Sequence, residues 1–261
     1  MFLNLPFIVS ILIITVIAIS VFHIVQSIIR KKVPHEMLRE NHEVGGFIYN
    51  AVGILYAVLI AFVVFAIWTD LKDTETKIEQ EASDLIDLYY DASVFPDSVK
   101  KEIQQSIRDY TRKVTNDEWD LMSEGKSDAE VTKAYIKLKN IYLNTRTEIL
   151  PNKDALTMSL KNVNEIREFR RHRILSSTQN IPDILWLVLI IGSVIIVVFT
   201  FFFSTRNIRH QYFMTALLVF VCVIVLYLIF VLDHPFYGQY KIKPEAFEPL
   251  MSIVKNIDGI K

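Results

Sequence analysis

The sequence predicts an all-α membrane protein: four transmembrane helices, with a helical-bundle soluble domain inserted between helices 2 and 3. Three observations predict it. Hydrophobic residues make up 52% of the 261 residues and mean hydropathy is +0.32, too apolar for a soluble domain of this length. The excess is concentrated in four windows without Asp, Glu, Lys or Arg: Leu5 to Ile29, Val44 to Thr69, Ile184 to Thr205, and Gln211 to Leu232. Each exceeds the roughly 18–20 apolar residues that cross a bilayer as a helix. Between the second and third windows, Asp70 to Asp183 is charged, and its apolar residues recur at helical spacing. The expected divisions are 1–69 (transmembrane helices 1 and 2), 70–183 (soluble helical domain), 184–232 (helices 3 and 4) and 233–261 (a C-terminal membrane-exit segment).

The first window reads as a retained helix. A cleaved signal peptide has a basic start and a shorter apolar core; here no Lys or Arg precedes the core, and Arg30-Lys31-Lys32 follows it. The second window holds Gly45, Gly46 and Gly53, three of the seven glycines. Glycine inside a helix costs about 0.5–1 kcal/mol relative to alanine, so these residues ask for a reason. At 100° per residue, Gly46, Asn50, Gly53, Ala57, Ala61 and Val64 fall within roughly 80° of one another. This is a narrow stripe of small side chains carrying one amide. Two readings stand: a helix-packing seam, since membrane helices associate through close backbone approach, or a pore lining with Asn50 as its polar station.

No proline or glycine separates Trp68 from Leu71, so the second membrane helix is expected to run on into the soluble part. There Leu71, Thr74, Ile78, Ala82, Leu85 and Tyr89 continue one buried face. Asp70, Asp73, Glu81, Asp84, Asp87 and Asp91 gather on a different flank, read as solvated. Four soluble helices are expected near 70–94, 97–121, 128–149 and 153–179, divided by Pro96 and Pro151, since helices end at or before such residues. Their core positions are Val99, Ile103, Ile107, Tyr110 and Val114, then Val131, Ala134, Leu138 and Ile141, then Leu156, Leu160 and Val163. Ser127-Asp128-Ala129-Glu130 reads as a capping box opening the third. Pro6, Pro34, Pro182 and Pro235 lie at or beside the ends of the membrane windows.

Two stretches beside the membrane carry the remaining chemistry. Arg170, Arg171 and Arg173, with Arg167, lie shortly before the third window; they read as snorkelling or lipid-phosphate contacts, or as an anion station at a pore mouth. After the fourth window, Asp233 ends the apolar run, and Pro235, Phe236 and Gly238 form a membrane-exit motif. Asp233 is expected either to cap the exit or to pair with Arg170 or Arg173. Otherwise catalytic chemistry is missing. The six histidines form no HExxH and no cluster with the lone Cys222, and no phosphate loop or GxSxG is present. No enzyme, cofactor or metal is expected. Net charge near zero argues against a nucleic-acid partner. The uncharged windows lack the ionisable residues that pumps and voltage sensors need. Arg30, Lys31, Lys32, Arg39, Arg206 and Arg209 are concentrated in two short loops, which places those loops in the cytoplasm and the soluble domain outside it.

The segments GGFIYNAVGILYAVLIAFVVFAIW, EASDLIDLYYDA, DEWDLMSEG, RRHRIL before PDILW, and LDHPFYGQYKIKPEAF, in that order, resemble the bestrophin-like family of bacterial membrane proteins. The resemblance covers nearly the whole chain. Asp120 after Trp119 and Ile174 after Arg173 depart from its pattern. It implies kinship to bestrophins, pentameric anion channels with a helical cytosolic domain, and so an orientation opposite to the charge count. The calcium-binding acids and neck phenylalanines of bestrophins are not assigned to positions here. Two functions stand. One is a homo-oligomeric ion channel in the cell membrane with helix 2 at the pore. The other is a non-conducting scaffold or sensor whose helical domain binds a partner.

Overall fold

The computed structural model describes residues 7–33, 42–146, 153–203, 205 and 207–258. Pro6, Pro34, His35, Arg39, Pro151 and Arg206, and the expected end of the third soluble helix, lie outside the described residues. Among the described residues every regular element is helical. The elements are α1 (Phe7–Lys32), α2 (His42–Asp91), α3 (Asp97–Lys113), a π turn (Val114–Glu118), α4 (Trp119–Leu121), α5 (Ala129–Asn144), α6 (Lys153–Ser176), α7 (Asp183–Phe199), α8 (Ile208–Leu232) and α9 (Glu248–Asp258). Four helices are long and apolar enough to cross a membrane: α1, α2, α7 with its 3-10 extension, and α8. In α2, a 50-residue helix, the uncharged stretch from Val44 to Thr69 is the part suited to lipid.

The chain divides into two compact units. The first is numbered Met1–Thr69, Ile181–His234 and Gly238–Tyr240. Its interior is thin, as membrane helices allow. Val63, Ile67, Leu189 and Ile229 make one cluster, and Val197, Phe201 and Val219 another, with Phe22 against Phe201. Most other large apolar side chains, such as Phe47, Leu55, Phe62 and Phe65, face outward. In water that would be an aggregation liability; lipid is the solvent that suits it. Helix starts follow local chemistry. Pro182 precedes α7, where a missing N–H costs nothing. Asn207 caps α8, its Oδ1 accepting the Arg209 N–H at 3.1 Å. Arg30, Lys31 and Lys32 close α1 at the negative end of its dipole.

The second unit, Asp70–Asn180, Pro235–Tyr237 and Lys241–Lys261, has a conventional core. Leu85, Leu88, Ile103, Ile107, Tyr110, Val131, Leu138, Val163 and Ile166 are all fully buried, and the periodicity in the sequence identified most of them. Three expectations change. The C-terminal segment is more than a membrane exit: Phe236, Phe247 and Leu250 enter this core, and the Trp119 ring lies 6.0 Å from Phe236 and 5.9 Å from Phe247. The cap of α5 is Asp128, not Ser127, and its Oδ1 accepts the Glu130 N–H at 2.7 Å. In a capping box the third-position acid would satisfy the cap residue's own N–H; here the Asp128 N–H goes to Glu118, and Glu130 turns outward to Lys133 and Lys113. Finally, Glu81 is not on a solvated flank. It lies roughly 40° from Leu85 around the helix, which places it at the edge of the apolar face, and it is fully buried.

Candidate functional site

The small-residue stripe of α2 belongs to the first unit. On a neighbouring face, α2 packs tightly against α7. Tyr56 Oη donates to the Leu189 carbonyl at 2.7 Å and meets Ser193 Oγ at 2.5 Å. The ring passes over Gly192, where an added Cβ would collide with it. Gly192 is therefore the glycine that a close approach requires. At the start of α2, a Cβ on Gly45 would meet the Phe203 ring at 3.4 Å, in ordinary contact. The stripe itself looks elsewhere. Nothing lies within 4 Å of a Cβ built on Gly46 or Gly53, and Asn50, Ala57 and Ala61 are exposed. Within one chain, the stripe is an uncovered line of small side chains with one amide and no charge.

The second unit contains a buried ionic cluster that the sequence did not assemble. Its members come from four elements. Glu81 lies on α2 and Tyr110 on α3; Glu118 ends the π turn, with Trp119 and Met122 just beyond it; Arg170 and Arg173 lie three residues apart on α6. Arg173 donates from Nε to Glu81 Oε2 at 2.9 Å, and from Nη2 to Glu81 Oε1 at 3.2 Å and Glu118 Oε2 at 3.1 Å. Its Nη1 reaches Met122 Sδ at 3.2 Å, and its guanidinium carbon lies 5.0 Å from the Trp119 ring centroid. Arg170 grips Glu118 with Nε and Nη2, at 3.0 and 2.5 Å, and also meets Thr132 Oγ1 and the Asp128 carbonyl. Tyr110 Oη donates to Glu81 Oε1 at 2.8 Å.

Two acids and two arginines leave the cluster neutral, as a low-dielectric site demands. Burial raises the Glu118 carboxyl, but the Arg170 hydrogen bond, the two guanidinium charges and the Asp128 N–H overcome it, and the group ends below the usual carboxylate range. Burial opposes the charge of Arg173 too, yet Glu81 and Glu118 hold it above its ordinary value. Tyr110 is pushed well up by burial and by the Glu81 charge beside it. Glu118 and both arginines are thus held in their charged forms.

These contacts correct one expectation: Arg170 and Arg173 do not snorkel towards lipid but are buried within their own unit on Glu118 and Glu81. Arg171 points outward, with Glu168 3.9 Å away. Asp233 serves its own unit: Oδ1 accepts the Ile181 N–H at 2.8 Å, and Oδ2 lies 3.4 Å from Trp186 Nε1. In the exit motif, the Pro235 carbonyl accepts the Ile242 N–H at 2.8 Å, Phe236 is buried, and Gly238 has a φ of 80° that favours glycine. A signal for the cluster existed in the sequence. Glu118 follows Val114 by four residues, and Arg170 and Arg173 continue the Val163–Ile166 face, so three charges occupy apolar positions. Three of the five segments that carry the family resemblance meet here, through Glu81, the Glu118–Met122 turn, Arg170 and Arg173.

Outside the cluster, Asp84 is the unusual titratable group. Its Oδ2 is shielded from water without a hydrogen-bond partner. Burial, then the charges of Glu165 and Asp87, push its carboxyl up to about 6, against the pull of Lys161. Among the described residues no group of three or more His, Cys, Asp or Glu could hold a metal ion.

Comparisons agree with this architecture. The family profile of the bestrophin-like domain matches residues 16–247. No curated protein matches the chain. Among solved structures, a point mutant of a bacterial bestrophin homologue from Klebsiella pneumoniae superposes with a TM-score of 0.70 at 11% identity, over 91% of this chain and 96% of that one. A second structure of a bestrophin homologue from Klebsiella pneumoniae gives 0.69 at 10% identity, over 90% and 95%. A further structure, described as a membrane protein, gives 0.70 at 11% identity, over 93% and 96%. At such identities the likeness is one of fold.

Proposed function

This chain belongs to the bestrophin-like family, and on that premise we propose that copies of it assemble in the cell (inner) membrane into an ion channel with α2 around the pore. One observation carries the reading. The Gly46–Asn50–Gly53–Ala57–Ala61 stripe is uncovered in the single chain, uncharged, and furnished with one amide. Small side chains leave room for an ion path or for a neighbouring backbone. The four membrane helices carry no polar route of their own, so conduction requires a closed ring of copies around a shared axis. Residues 70–183 are the inserted helical domain in this reading, and its neutral ionic cluster holds the bundle rigid. The positive residues that close α1, with Arg209, support placing the short loops in the cytoplasm and the helical domain outside it.

A second reading is a non-conducting scaffold or sensor that binds a partner through the helical domain. The exposed Ile136 and Leu143 on α5, one heptad apart, favour it. Purified protein in liposomes, tested for ion flux with particle size measured alongside, tests the channel. Flux from an oligomeric particle supports it; a particle of single-chain size without flux leaves the scaffold. Orientation has its own test. A cysteine replacing Ser123, in a Cys222→Ala background, reacts with an impermeant reagent in intact spheroplasts if the helical domain is outside. Reaction only after lysis reverses the assignment.

A further inference from the structure

Arg30 lies in the last turn of α1, where a helix long and apolar enough to span the bilayer ends. The first turns of α8 close beside it. Ser27 Oγ and Tyr212 Oη are 2.9 Å apart, His23 Nε2 lies 3.1 Å from the Tyr212 carbonyl, and the His23 and Tyr212 rings meet edge to face at 5.0 Å. Ser27 and Gln26 precede Arg30 by three and four residues and so share its face. In this setting the Arg30 Nε and Nη2 atoms are shielded from water, and neither has a hydrogen-bond partner. Among the described residues no acid pairs with it. Gln26 is 1% exposed, donates its amide to Thr215 Oγ1 at 3.4 Å, and leaves Oε1 equally unpartnered.

A guanidinium does not lose its proton in a protein, and its donors are fixed in a planar fork. Shielding two of them without an acceptor carries the cost of an uncompensated charge. The surroundings indicate what relieves it. The end of a membrane-spanning helix lies at headgroup depth, where the most abundant anion is a lipid phosphate. Two adjacent N–H groups of one guanidinium match two phosphate oxygens. Lys31 and Lys32 follow directly, exposed, as mobile point charges that attract an anion without orienting it.

We infer that Arg30 forms a binding site for a phosphate group, supplied by an anionic phospholipid headgroup; Ser27, which donates to the His23 carbonyl at 2.8 Å and accepts from Tyr212, holds the α1–α8 contact beneath it. Arg30 positions the phosphate, and the lysines raise its local concentration. The site ties the α1–α8 pair to the surrounding lipid. It stands whether or not the protein conducts, because it uses only residues at the end of the α1–α8 contact.

The test is thermal unfolding of the full chain in detergent while phosphatidylglycerol is added. Phosphatidylcholine and inorganic phosphate, at matched ionic strength, are separate arms. Phosphatidylglycerol is expected to raise the wild-type Tm. The lipid concentration giving half the effect rises on the order of tenfold in Arg30→Lys, which keeps the charge and loses the fork. The shift is lost in Arg30→Gln and kept in Lys31→Gln. A gain with inorganic phosphate that also requires Arg30 assigns the same chemistry to a free anion. The inference is overturned if wild type gains nothing from either source, or if Arg30→Gln responds as wild type does. Should Arg30→Gln fail to fold, native mass spectrometry of wild type and Arg30→Lys decides. Weaker retention of phosphatidylglycerol by Arg30→Lys supports the site, and equal retention removes it.

Discussion

Arg173 and Glu81, 92 residues apart in the chain, form a two-point contact with no exposure of either side chain: Nε to Oε2 at 2.9 Å and Nη2 to Oε1 at 3.2 Å. The pair joins α6 to α2, and Glu118 joins the turn after α3 to both arginines. Charges buried this way contribute little net stability over a well-packed apolar core, but they are costly to break. What they fix is which helix faces meet.

Removing one partner exposes that asymmetry. Arg173→Met leaves Glu81 and Glu118 buried with one cation between them and should destabilise the protein by about 3–5 kcal/mol. Arg173→Met combined with Glu81→Leu should cost less than the sum of the two single changes, because both members of the pair are gone. Unfolding of the single and double variants in detergent checks this; strict additivity would mean the pair is not coupled.

Two carboxylates predict opposite pH behaviour. Glu118 is held below the usual range in the folded protein, so its contribution is present above its unfolded value and is lost as pH falls through the folded one. Glu118→Gln should therefore cost most near pH 7 and progressively less in acid. Asp84, raised by burial and by Glu165 and Asp87, stabilises below its unfolded value, and this is lost as pH rises through about 6. Asp84→Asn should raise Tm at pH 7.5 and give little gain at pH 4. Tm measured across this range tests both signs.

In the membrane unit, Gly192→Ala places a methyl group inside the Tyr56 ring. Overpacking of this kind typically costs about 1–3 kcal/mol. Tyr56→Phe keeps the ring and loses the bonds to Leu189 and Ser193, for about 1 kcal/mol. Gly192→Ala should be partly rescued by Tyr56→Leu, which removes the ring atoms in the way. Failure of that rescue in thermal unfolding would place the strain elsewhere.

Gly53 and Asn50 separate the chain's own stability from its assembly. Nothing within the chain approaches Gly53, so Gly53→Leu should leave single-chain stability within about 0.5 kcal/mol and shift particle size if copies meet along the stripe. Asn50→Leu should change conductance while the assembly persists if the stripe lines a pore. Size-exclusion with light scattering and single-channel recording read these outcomes. Wild-type behaviour of both variants would remove the stripe from function.

Local sequence dictates the helices, their apolar faces and the membrane character. These follow from local spacing: a run of uncharged residues long enough to span lipid can do little else, and Ile103, Ile107, Tyr110 and Val114 share a face wherever the helix is placed. Tertiary structure decided which charges meet. Glu81 looked solvated because its angle borders the apolar face, and only the approach of α6 with Arg173 makes burial there tolerable. Arg170 and Arg173 read as lipid contacts because they lie near a membrane end in the sequence, yet both are buried on acids of their own unit. Burial of a charge depends on a counter-charge supplied by another helix, here one 92 residues away. Periodicity reports one helix at a time; the energy of a buried ion pair belongs to two.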